Sequence, residues 1–143
     1  MKRNIESVIL FQIDKTSKVS KMYSQREFDR LGLGITVEQW ILLKIIEESN
    51  ELSQKELATK SLRDPASITR TIDILEKKSL VMRNDIPNNR RRYNLVLSKE
   101  GHAFVKKNMK LVKAHRERST KGFSKEELNQ LSDFLIRIQE NMK

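Results

Sequence analysis

Between Ser53 and Leu97 the chain changes its hydrophobic period, and that change limits the folds open to it. Ser53-Gln54-Lys55-Glu56 has the spacing of a capping box, in which a serine and a glutamate three residues on satisfy each other's backbone N–H groups at a helix start. Leu57 and Ala58 follow on a short helix that fades at Lys60-Ser61. Asp64-Pro65 opens a second helix. Aspartate suits the N-cap, and proline suits the first turn, where its missing N–H would be unpaired anyway. Ile68, Ile72 and Leu75 define the buried face of this helix, and Ala66, Ser67, Thr69, Arg70, Asp73 and Lys77 the opposite one. From Leu80 the period becomes two. Leu80-Val81-Met82-Arg83 is a strand candidate, and Tyr93, Leu95 and Leu97 alternate with Asn94, Val96 and Ser98 in a second. Residues 84–92 lie between them and end in Asn88-Asn89-Arg90-Arg91-Arg92, which predicts a hairpin tip loaded with arginine, since Pro and Asn favour turns.

The flanks read as helices. Ile5, Val8, Ile9, Ile13, Val19 and Tyr23 form a helical stripe, with Leu10 and Phe11 off it, so this helix carries two apolar faces. A second face fits a partner chain or a bound ligand as well as it fits simple core burial. Gly32 and Gly34 break the pattern. Thr36 and Gln39 form a capping box for a helix whose face is predicted as Val37, Trp40, Ile41, Lys44 and Ile45. Ser98 caps a long basic helix to about Arg118, and Ser124 and Glu127 open a last one with the stripe Leu128, Leu131, Leu135, Ile138 and Met142.

Composition narrows the function. In 143 residues there are 29 Lys and Arg against 19 Asp and Glu, a net charge of +10, which suggests a polyanionic partner; a solvated basic surface is the plain alternative. There is no cysteine, so this chain has no disulfide, thiolate metal site or thiol redox switch of its own. His102 and His115 stand thirteen residues apart without a carboxylate cluster, which argues against a metal site. No apolar run approaches the roughly 18–20 residues that span a bilayer. Met1-Lys2-Arg3-Asn4-Ile5-Glu6, with acids at Asp14 and Glu27, does not read as a targeting segment, so the expected location is the cytoplasm, away from membranes. No Ser/His/Asp order, glycine-rich phosphate loop or HExxH pattern argues for an enzyme.

Two short helices joined by a tight turn and followed by a hairpin make the winged helix-turn-helix plan. The fold expected is mainly α with a small β wing. In that plan the second short helix enters the DNA major groove, and the hairpin sends a long cation into the narrower minor groove. Ser67, Thr69 and Arg70 are offered as donors, with Arg70 the leading contact to a guanine edge or a phosphate; an ion pair with Asp73 or Glu76 is the alternative use of Arg70. The helix start at Pro65-Ala66-Ser67 is a phosphate site, and Ser53 and Gln54 at the start of the first short helix complete the DNA-facing set with Arg90, Arg91 and Arg92.

From Ile35 to Gly101 the sequence resembles the multiple-antibiotic-resistance-regulator (MarR) family of winged-helix repressors. The resemblance is carried by Ile35-Thr36-Val37-Glu38-Gln39-Trp40, by Leu52-Ser53-Gln54-Lys55-Glu56-Leu57-Ala58, by Ile68 to Val81 and by Leu95 to Gly101. It implies a winged lobe over residues 35–101, with residues 1–31 and 102–143 as helices that intertwine in a homodimer shaped like a triangle. Each lobe would read half of a palindromic operator, with recognition helices about 34 Å apart. The family's wing motif, Asp-x-Arg, places its arginine at Arg91. Asn89 replaces the motif's aspartate, and Ser79 stands where the family has glycine after the recognition helix.

The resemblance also implies a small aromatic or phenolic effector, with Phe11, Trp40 and His102 as candidate pocket residues; each also fits plain packing. No cofactor is required. A basic winged module for RNA or for a protein partner is the alternative function, although an RNA binder should show exposed aromatics for base stacking and only 6% of this chain is aromatic.

Overall fold

The structure is a computed structural model that describes residues 4–86 and 88–143, without the side chains of residues 89–92. It forms two compact units that part within the fifth helix, after Lys110.

The first unit begins with a single 3-10 turn, Ile5–Ser7, and a long helix α1, Ile9–Leu31. Gly32 ends α1 in the left-handed region at φ 65°, which a residue without Cβ adopts freely. Helix α2, Val37–Glu47, starts on the expected box: Thr36 Oγ1 accepts the Gln39 N–H and Gln39 Oε1 accepts the Thr36 N–H. Its buried face departs from the expected one. Trp40, Leu42, Leu43 and Ile46 are buried, while Ile41 is 44% exposed and Val37, Lys44 and Ile45 are half-buried. Six apolar residues crowd into positions 40–46, so spacing alone does not select a face.

Helix α3, Gln54–Ser61, and helix α4, Pro65–Lys77, are the two short helices of the motif. Ser53 and Glu56 close the capping box of α3, and Asp64 caps α4 by accepting the Ser67 N–H at 2.8 Å. A strand β1, Leu52–Ser53, precedes α3; two residues are too short to show alternation and it was not expected. Strands β2, Val81–Ile86, and β3, Asn89–Leu97, follow α4, and the sheet order is β1-β3-β2, all antiparallel.

The hairpin corrects the expected tip. Its strands run past the predicted ends, and Arg90, Arg91 and Arg92 lie on β3 rather than in the turn. Asp85 pairs with Tyr93 and Ile86 with Asn89, so the three arginines fall between two paired positions at a register irregularity. Cross-strand hydrogen bonding extends the ladder through polar residues whose side chains carry no alternating apolar signal.

Helix α5, Lys99–Ser119, is capped by Ser98, whose Oγ accepts the Gly101 N–H at 2.9 Å and donates to the Ser79 carbonyl. A Cβ at Gly101 would stand 2.1 Å from the Leu80 carbonyl oxygen, so only glycine lets the helix start approach the strand here. The core of the unit is Leu42, Leu43, Leu57, Ile68, Ile72 and Leu75, all fully buried. Each such side chain contributes about 1.5–3 kcal/mol relative to exposure, which fixes α3 and α4 on the sheet. Trp40 lies between Phe28, edge-on at 6.3 Å, and Phe104 at 6.4 Å.

The second unit holds the end of α5 and helix α6, Lys125–Asn141, which starts on the Ser124–Glu127 capping box. No residue of α6 is buried; of its expected stripe Leu131 and Met142 are exposed and Leu128, Leu135 and Ile138 half-buried, and Phe134 and Ile136 beside the stripe are exposed. The fold is mainly α with a small β wing, as the period change implied.

Candidate nucleic-acid interface

Helix α4 presents its polar face to solvent because Ile68, Ile72 and Leu75 anchor the opposite one. Pro65, Ala66, Thr69 and Arg70 are exposed on it, and Ser67 is half-buried. Arg70 makes no ion pair or side-chain hydrogen bond among the described residues. Its expected rivals are engaged elsewhere: Arg83, on β2, donates Nη2 to Asp73 Oδ1 at 2.8 Å and Nη1 to Glu76 Oε1 at 2.6 Å. The helical ion pair considered for Arg70 is therefore absent.

Thr69 is not the free donor the sequence suggested. Its hydroxyl donates to the Pro65 carbonyl at 3.0 Å and accepts from Gln54 Nε2 at 2.7 Å. The same bond ties Gln54 to α4, so these two residues lock α3 onto α4. Ser53 is likewise engaged, as the cap of α3. Ser67 Oγ accepts from Arg63 Nη2 at 3.2 Å and retains a proton to donate outward. The helix start offers fewer backbone donors than the expected phosphate site would use. Pro65 has no N–H, Ser67 gives its own to Asp64, and Ala66 is left to offer one. The side chains of Arg90, Arg91 and Arg92 lie outside the described residues; their backbone places them on the wing strand beside the tip.

Arg83 is the residue that sequence reasoning missed. It reads as one polar residue in a strand, yet its guanidinium bridges two carboxylates and stacks 5.4 Å from the Tyr93 ring centre. Burial works against its charge, but the hydrogen bond to Asp73 and the charges of Glu76 and Asp73 outweigh it and hold the group above the ordinary arginine value. The available signal was the acid pair itself: Asp73 and Glu76, three apart on a helix, repel each other and call for a cation.

The candidate pocket residues do not share one environment. Phe11 is half-buried on α1, Trp40 is buried in the aromatic cluster, and His102 is exposed in the first turn of α5. A cleft of about 420 Å³ opens beside Lys21, Glu38, Ile41, Arg63 and Ser67, and none of the three lines it. Glu38 is paired there with Arg63 at 2.9 Å and Lys21 at 3.6 Å. Among the described residues no group of His, Cys, Asp or Glu is placed to hold a metal ion, and no helix is long and apolar enough to cross a membrane.

Helix α3, the turn at residues 62–64, helix α4 and the β2–β3 hairpin define a winged helix-turn-helix protein. Residues 35–93 match the model of the MarR family, about two-fifths of the chain. Two curated relatives come from Bacillus subtilis (strain 168), both named as uncharacterized HTH-type transcriptional regulators. YhbI is 38% identical over 73 residues, which is 51% of this chain and 47% of that protein. YdgJ is 28% identical over 137 residues, 96% of this chain and 80% of that protein. This chain thus spans about half the length of the first relative and four-fifths of the second. Among solved structures, the S. aureus MepR–DNA complex superposes with a TM-score of 0.80 at 20% identity, covering 94% of this chain and 98% of that one.

Proposed function

We propose that the chain is a MarR-family transcriptional regulator, a repressor that binds a palindromic operator as a homodimer. The observation that carries this reading is Arg70, exposed on the polar face of α4 with its acidic neighbours already held by Arg83. A guanidinium in that position meets guanine edges or phosphates of a major groove. The net charge of +10 and the MepR structure, solved on DNA with this fold, support the same reading. Ser67 and the Ala66 N–H supply polar contacts near Arg70, and Thr69 presents an acceptor and a methyl rather than a proton. Gln54 acts by tying α3 to α4 through Thr69 and Ser53 by capping α3, and Arg91, with Arg90 and Arg92, supplies the minor-groove cation of the wing. Residues 35–101 form the reading lobe and residues 1–31 and 102–143 the dimerisation helices. No catalytic activity or cofactor is assigned, and the site of action is the cytoplasm. A small aromatic or phenolic effector would release DNA only by binding a lobe spacing that does not fit the operator more tightly than one that does.

The test is binding of the purified chain to the DNA upstream of its own coding region against a scrambled duplex, across a salt series. Binding should be sequence-dependent, salt-steep and with two protomers per site. Arg70→Ala should weaken it roughly five- to 150-fold, and Arg91→Ala should act mainly where A·T-rich flanks narrow the minor groove. Weak binding that ignores sequence would reject the operator reading and turn the search to an RNA or protein partner.

A further inference from the structure

Helix α4 carries two acids, Asp73 and Glu76, on the element that is proposed to enter the groove. Duplex DNA bears one negative charge per about 1.7 Å of its axis, so uncompensated carboxylates on that helix oppose binding. Asp73 also stands three residues from Arg70, a spacing at which helical side chains meet and pair. A helix left to itself would close that pair and turn Arg70 inward along its own surface. In the structure Asp73 is occupied by Arg83 Nη2 and Glu76 by Arg83 Nη1, at 2.8 and 2.6 Å. The Arg83 side chain is only 21% exposed and packs against Tyr93, while the two carboxylate side chains are about half exposed, at 52% and 43%. The cation is thus the anchored member of the trio, and it belongs to the wing strand rather than to the helix.

We propose that Arg83 is a positioning residue for DNA binding: by holding both carboxylates of α4 it keeps Arg70 free for the duplex and ties the wing strand to the reading helix. This rests on the DNA-binding reading above. The residue type follows from the task. A planar fork with donors on two nitrogens can hold two carboxylates at once, whereas a lysine ammonium is one point charge on a flexible stem.

The experiment measures affinity of the full chain for the tightest duplex selected from a random library, with thermal unfolding followed in parallel. Arg83→Gln should weaken binding about tenfold or more, the range of an arginine contact, although Arg83 touches no DNA. Adding Asp73→Asn and Glu76→Gln should restore most of that loss, because the acids that recapture Arg70 and repel phosphates are gone. Neutralising two acids outside α4, Glu48→Gln and Glu140→Gln, should not restore it. In an Arg70→Ala background, Arg83→Gln should cost much less than it does alone. A loss that persists after the acids of α4 are neutralised would mean a scaffold or direct-contact role and overturn the proposal, as would an Arg83→Gln chain that binds like wild type. Should Arg83→Gln fail to fold, Arg83→Lys carries the test, with a partial loss and the same rescue required. A wild-type chain that binds no duplex overturns the DNA reading and this inference together; binding without rescue overturns this inference alone.

Discussion

Ser79 shows how much a single residue can settle. It sits between α4 and β2 at φ 62°, in the left-handed region that costs a residue with a Cβ about 1–2 kcal/mol. Its carbonyl accepts from Ser98 Oγ, so the turn that carries the strain is also the one that receives the cap of α5. Ser79→Gly should therefore raise stability by roughly 0.5–1 kcal/mol, after allowance for the extra freedom glycine gains when unfolded. The midpoint of urea unfolding reads this directly, and an unchanged or lower midpoint would show that the serine contributes a contact that offsets its strain. The special character of this position was legible in the sequence, because the family resemblance placed a glycine there. The partners of Thr69, Gln54 and Arg83 were not legible. Each hydrogen bond joins residues seven or more apart in sequence or depends on a rotamer, and spacing within one helix says nothing of either.

At the scale of elements, local chemistry marked starts better than faces or ends. The capping residues Thr36, Ser53, Asp64, Ser98 and Ser124 each open the helix assigned to them, because a cap is a contact made within four residues. The face of α2 was misread because apolar residues surround much of that helix, and only its neighbours decide which side is covered. Strand β1 and the outer halves of β2 and β3 exist through pairing across the sheet, so their own sequence gives little sign of them. Gly101 joins two elements in one residue. Gly101→Ala would drive a methyl to 2.1 Å from the Leu80 carbonyl oxygen, and the helix start can yield only by moving away from the strand. The expected cost is about 2–3 kcal/mol, opposite in sign to Ser79→Gly and readable in the same unfolding experiment. A loss below half of that would show that α5 shifts at little expense.

For the whole molecule, the open apolar surface bears on assembly. Ile5, Ile9, Leu10, Val19 and Met22 are exposed at the start of the chain and along α1, as are Leu131, Phe134 and Ile136 on α6. Scattered apolar residues on a surface are ordinary, but in the dimer proposed above a second copy would cover these exposed members of the two helices. Leu131→Glu should weaken the proposed dimer by about 3 kcal/mol, roughly a hundredfold in Kd, and light scattering should then find half the wild-type mass at micromolar concentration. A wild-type chain that is itself monomeric, or a variant of unchanged mass, would remove the homodimer from the reading. The sequence by itself determined the period change at Leu80, the helix starts, the core of α4 and the surplus of positive charge, since these depend on neighbours along the chain. Only the tertiary structure decided which face of α2 is buried, how far the hairpin extends, and that Arg83 rather than Arg70 holds the acids of α4. Those outcomes rest on contacts between distant residues, where packing and desolvation outweigh what any local pattern prefers.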